Sequence, residues 1–130
     1  MDKWTQSDWH QVMRIAAEKS LTEIGIKMER QADSLAPVRT GRLAGSITYQ
    51  VDKGGSAPRA PAKANDGVSK PGDEWTLHIG TNVEYAPYQE YGTRKNAAQP
   101  FLRPAMDAYK GWAQTYFGQQ LSRAIKEYGK

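Results

Sequence analysis

The stretch GTNVEYAPYQEYGTRKNAAQPFLRPA, residues 80–105, sets how the rest of the chain must be arranged. Tyr85, Tyr88 and Tyr91 recur at a spacing of three, so a short helical turn is expected to carry all three rings on one face. Gly92 ends that turn. A polar run follows, and Pro100-Phe101-Leu102-Arg103-Pro104 opens an amphipathic pattern. Pro104 suits the first turn of a helix, where a missing N–H costs nothing. Phe101 and Leu102, immediately before it, are positioned to clamp the helix start to the core as a hydrophobic staple does. The helix they introduce is expected to run towards Tyr128 on a stripe of Met106, Tyr109, Ala113, Phe117, Leu121, Ala124 or Ile125, and Tyr128. Gly111 and Gly118 weaken it or permit close helix approach.

Upstream of the tyrosines, Trp75, Leu77 and Ile79 alternate with Glu74, Thr76 and His78. This period of two predicts a strand with one face buried. Ser46 to Val51 alternates likewise, with Ile47, Tyr49 and Val51 facing one way, and predicts its antiparallel partner. Two strands alone are marginal, so helices are expected on one face and a third strand from this or a neighbouring chain. Between the strands, residues 53–73 hold seven of the nineteen glycines and prolines and almost no large apolar residue. Such a segment buries too little surface to offset its ordering entropy and reads as a flexible excursion. Thr40-Gly41-Arg42-Leu43 reads as a turn. Its Arg39 and Arg42 can meet phosphate, meet a neighbour's carboxylate, or remain solvated.

The N-terminal third predicts one long helix. Ser7 or Asp8 can cap it, and Met13, Ala17, Leu21, Ile24, Met28, Ala32 and Leu35 recur at steps of three and four. Gly25 is a weak spot inside it. Pro37 ends it, because the residue before proline avoids the α region.

With 130 residues, the chain suffices for a single α+β domain spanning 1–130 with one modest core. A mean hydropathy of −0.77 is on the polar side for a self-sufficient globule. It fits either a very soluble domain or a subunit partly covered by neighbours. The net charge of +4 is mildly basic, and solubility alone accounts for it. The absence of cysteine excludes disulfides and thiolate metal sites. No apolar run approaches a membrane span, and the first ten residues lack the apolar core of a signal peptide.

Catalytic chemistry is not indicated. His10 and His78 lack a carboxylate at metal-ligand spacing. Glu84 and Glu90 flank the tyrosine turn, but six residues apart they need not converge as an acid–base pair. No phosphate-binding glycine loop or nucleophile elbow is present. The aromatic residues carry more information, because tyrosine is a common interface anchor. At least one of Tyr85, Tyr88 and Tyr91 is expected in the core and at least one against a partner.

Three blocks, APVRTGRLAGSI (36–47), IGTNVEYAPYQEYGT (79–93) and QPFLRPAMD (99–107), occur in an order that resembles the head–tail joining and tail-completion proteins of long-tailed bacteriophages and prophages. The resemblance implies a small α+β subunit without catalytic residues or cofactors. That subunit is expected to work in a ring, hexameric by analogy with tail tubes, that completes the tail or joins it to the head connector. Its partners would be copies of itself, head-connector proteins, and tail-tube or tail-terminator proteins. Neither a small-molecule substrate nor a membrane is expected, and DNA contact would be transient at most. It would assemble in the host cytoplasm and reside in the virion neck. Arg39, Arg42, Tyr85, Tyr88, Glu90 and Tyr91 are the candidate interface residues, and Phe101 and Leu102 the candidate core anchors. The competing reading is a small basic nucleic-acid-binding module, resting on Arg39, Arg42, Lys53, Arg59 and Lys63.

Overall fold

The computed structural model describes residues 6–36, 41–52, 54–68, 75–95 and 97–128, without the side chains of 6–9 and 128. The elements in order are helix α1 (Gln6–Leu35), short helix α2 (Arg42–Ser46), strands β1 (Thr48–Val51), β2 (Gly54–Gly55) and β3 (Leu77–Gly80), short helix α3 (Ala86–Tyr91) and long helix α4 (Leu102–Tyr128). The architecture is α+β. Its antiparallel sheet has the order β2-β1-β3, so the two-residue β2 is the third strand and comes from the same chain. Tyr49 faces Ile79 and Val51 faces Leu77 across β1 and β3.

Helix α1 lies on the sheet, and the stripe explains why. Ala17, Ile24, Met28 and Ala32 are all buried, while Leu35, which continues the same spacing, is exposed; Ala36 is the residue that enters the core there. Gly25 turns out to mark close packing. A Cβ on it would stand 2.9 Å from Leu77 Cδ1 and 3.0 Å from the Tyr49 ring. The absent side chain therefore lets α1 settle onto the pleat, which offsets the intrinsic helix cost of glycine, about 1 kcal/mol. Buried Ser20 satisfies its hydroxyl by donating to the Ala16 carbonyl one turn back, at 2.7 Å.

Helix α4 runs antiparallel along α1. Ala105 shares a core cluster with Ala32, the Lys27 ammonium sits 5.8 Å above the Trp112 ring, and residues 116–127 face residues 12–23. Its stripe is thinner than the spacing suggests: Ala105 and Ala124 are buried, whereas Met106, Trp112 and Ile125 are exposed. Gly111 and Gly118 face open space, so neither serves close approach within this subunit.

Two local expectations are corrected. Residues 42–46, expected as the end of a turn and the start of a strand, form α2. Gly41 precedes it at φ 79°, and the Gly45 N–H donates to the Gly41 carbonyl at 2.9 Å. The strand therefore begins at Thr48. In addition, the strand face expected to be polar is buried at its start. Ser46 hydrogen-bonds the Thr81 hydroxyl at 2.6 Å, and the Thr48 hydroxyl accepts from Val68 N–H at 2.7 Å.

That second contact belongs to residues 54–68 of the excursion, which fold back over α2 and the sheet through polar bonds. Arg59 N–H donates to the Gly45 carbonyl at 2.8 Å, and a Cβ on Gly45 would stand 2.6 Å from the Arg59 carbonyl oxygen. The Arg59 guanidinium bridges Glu29 and Asp33 of α1 and donates to the Ala44 carbonyl at 3.0 Å. Ser56 Oγ donates to Glu29 at 2.9 Å. Glu29 is thus a buried carboxylate with partners.

Asp33 is held less well. Its Oδ1 is buried without a hydrogen-bond partner, and burial pushes its pKa up to about 6 despite Arg59. An acid with a raised folded-state pKa contributes stability below its unfolded value, and that contribution is lost as pH rises through about 6. Asp33→Asn is therefore expected to stabilise the subunit at pH 8 by on the order of 1 kcal/mol after solvent screening, and to have little effect at pH 4. Paired thermal melts at the two pH values check this; equal effects at both would contradict it.

Candidate assembly surface

The segment from β3 to α4 forms one corner of the subunit, beside the C-terminal end of α1. Val83 and Ala86 point inward and join Ala32, Ala36, Leu43, Ile47, Phe101 and Ala105 in the core. Tyr85 packs against that cluster from its edge, with the Arg42 guanidinium 5.8 Å from its ring. Tyr88 and Tyr91 are 60% and 72% exposed. The three tyrosines therefore do not share a face. At 3.6 residues per turn, a spacing of three rotates each ring by about 60° from the last, which carries the series from core to solvent.

The corner is rigidly tied. Gly92 closes α3 at φ 81°, its N–H donating to the Tyr88 carbonyl at 2.9 Å. The Gln99 N–H donates to the Gln89 carbonyl at 2.7 Å and closes the loop between the helices. Glu90 reaches the start of α4, where its carboxylate accepts from the N–H groups of Phe101, Leu102 and Arg103 at 3.1, 2.9 and 3.2 Å. It satisfies donors that a helix start leaves without partners and places negative charge at the positive end of the helix dipole. Glu90, expected at an interface, thus performs a structural task inside the subunit. The sequence signal was faint, since cap and helix are eleven or more residues apart.

Arg42 is likewise engaged internally. It donates to both Asp66 oxygens at 3.1 Å and to Glu84 at 3.3 Å, joining α2, the excursion and the tyrosine turn. Its hydrogen bonds hold the Asp66 carboxyl below the usual carboxylate range. The tie is present above about pH 4 and is lost only as pH falls through that lowered value. Glu84 is also held low, first by its own backbone N–H and then by Arg42. Glu84 and Glu90 thus have separate partners. Arg39 lies outside the described residues. Phe101 is completely buried in the core cluster, and Leu102 is half-buried against it.

Among the described residues, the basic stretch behind the nucleic-acid reading does not form a free patch. Arg42 and Arg59 are committed to carboxylates of the same subunit, Lys63 is exposed, and Lys53 lies outside the described residues with Arg39. His78 is exposed on β3, and no group of three or more histidines and carboxylates among the described residues could hold a metal ion. No helix among them is long and apolar enough to cross a membrane.

A family model described as "Bacteriophage HK97-gp10, putative tail-component" matches residues 4–92. The chain belongs to the HK97-gp10-like family. The match takes in α1, the sheet, the excursion and the tyrosine turn, and it ends where α3 meets Gly92. The Glu90 contacts with α4 therefore join this family's matched region to the helix beyond it. Two of the three resembling sequence blocks fall inside the match, except for Thr93, while the block at 99–107 follows it. No curated protein and no solved structure matches the chain. As an HK97-gp10-like protein it is a structural component of a phage tail.

Proposed function

We propose that this tail component acts as a ring subunit, sixfold by analogy with tail tubes, that completes the tail or joins it to the head connector. The observation that carries the reading is the exposed pair Tyr88 and Tyr91, on a corner held by the Glu90 cap and the Arg42 ties. Tyrosine side chains carried on a tied backbone are suited to anchor protein contacts, because they bring a large area with few rotatable bonds to fix when they are covered. Tyr85, Arg42 and Glu90 then act behind the contact by fixing its shape. Head-connector, tail-tube or tail-terminator proteins are the partners in the neck, and the particle is assembled in the host cytoplasm.

Tyr88→Ala combined with Tyr91→Ala tests this. Both side chains are mostly exposed, so the melting temperature should stay within a few degrees of wild type. The double variant should nevertheless lose at least tenfold in restoring infectivity to tail-defective particles in vitro. Full restoration by a folded variant would remove the tyrosines from the contact.

A further inference from the structure

Strand β3 is an edge of the sheet, and the ladder shows which groups that edge presents. The Ser56 N–H donates to the Tyr49 carbonyl at 3.0 Å, and the Tyr49 N–H donates to Ser56 Oγ at 3.0 Å, so Tyr49 turns both backbone groups towards β2. Its partner on β3 is Ile79. Opposite residues of an antiparallel pair either bond each other or both point away, so Ile79 turns its N–H and C=O outward. Leu77, two residues back, does the same. Among the described residues, no hydrogen bond reaches these outward groups. Their side chains are half-buried on the α1 face, where Leu77 Cδ1 lies against Gly25, and His78 is exposed on the opposite face.

We propose that this edge pairs with the same edge of a second copy of the chain, antiparallel about a two-fold axis at His78, joining two three-stranded sheets into one. The edge is complementary to itself. With His78 opposite His78 of the second copy, each Leu77 stands opposite an Ile79, and every outward N–H and C=O of the two residues gains a partner. Trp75, at φ 66°, leaves the extended region just upstream, so the usable edge is no longer than this pairing requires. Each Leu77 also meets an Ile79 side chain on the α1 face, an apolar cross-strand pair. Proteins that keep an edge strand unpaired block it with lysine, proline or a bulge. Leu77–Gly80 contains neither residue and pairs one-for-one with β1. This contact is separate from the tyrosine corner and goes beyond the ring reading. An isologous contact closes at two copies, so it adds to the heterologous contacts that a ring needs and does not replace them.

The chain has no cysteine, so a single introduced thiol reports the contact. In the proposed pairing the two copies of residue 78 face each other at a Cα separation of about 4.5 Å, which a disulfide spans. Full-length His78→Cys under mild oxidation should run mostly as a covalent dimer on a denaturing gel. Gln114→Cys, exposed on α4, should run as a single chain beside it. Amide exchange gives a second reading without a thiol. Leu77 and Ile79 should exchange at least tenfold more slowly in concentrated than in dilute wild-type protein. His78→Lys, which sets two charges against each other across the axis, should abolish that difference. Circular dichroism verifies the fold of each variant. Failure of His78→Cys to link, or linking no faster than Gln114→Cys, overturns the two-fold contact. So does exchange at Leu77 and Ile79 that responds neither to concentration nor to His78→Lys.

Discussion

Phe101→Ala is expected to lower the stability of the subunit by about 3–5 kcal/mol, the range for removing a fully buried aromatic ring. Phe101 is completely inaccessible to solvent and sits where α1, α2, the β3–α3 turn and α4 meet. Its own N–H is one of the three that Glu90 accepts, so the backbone at this point is fixed and cannot easily close the cavity. Domains of this size hold only about 5–15 kcal/mol in total. The melting temperature should therefore fall by roughly 10–20 °C. A variant that melts with wild type would show that α4 is anchored elsewhere.

The second large effect is expected at Arg59. Glu29 is buried, and the Arg59 guanidinium and the Ser56 hydroxyl are its hydrogen-bond donors. Arg59→Ala leaves that carboxylate with the hydroxyl alone. Losing the partner of a buried charge costs about 3–5 kcal/mol where both groups are desolvated. The Arg59 side chain is partly exposed, so about 2–3 kcal/mol is the appropriate expectation here. The damage should be local first. Amide exchange should accelerate at Arg59, Ala62, Asp66, Gly67 and Val68, all hydrogen-bonded in the folded excursion, while α1 retains protection. Unchanged exchange at these amides would mean that Arg59 does not hold the segment.

Why the excursion was hard to read follows from the same residues. Its composition argues only against ordering by hydrophobic burial. Its ties are instead polar and distant in sequence: Arg59 to Glu29 and Asp33, Asp66 to Arg42, Gly67 to Asn82. No local pattern announces such pairs. By contrast, the α1 stripe and the β1–β3 pairing were legible because period directly reflects burial on one face. The legibility failed where the surroundings changed the face. Thr48 reads as an outward residue, yet the excursion covers it; Gly25 reads as a defect, yet α1 packs closely on Leu77 and Tyr49 there. At the candidate surface, the tyrosine spacing identified the right segment. It could not divide the rings between core and solvent, because that depends on where α3 begins. The role of Glu90 required knowing that the chain returns past α3 into α4.

The central claim, a ring-forming tail component, is tested most directly by native mass spectrometry of the wild-type protein over a concentration series, alone and with tails assembled without it. A discrete closed oligomer of six subunits, formed alone or on the tails, is the expected result. Monomer at every concentration, with no binding to those tails, would contradict it.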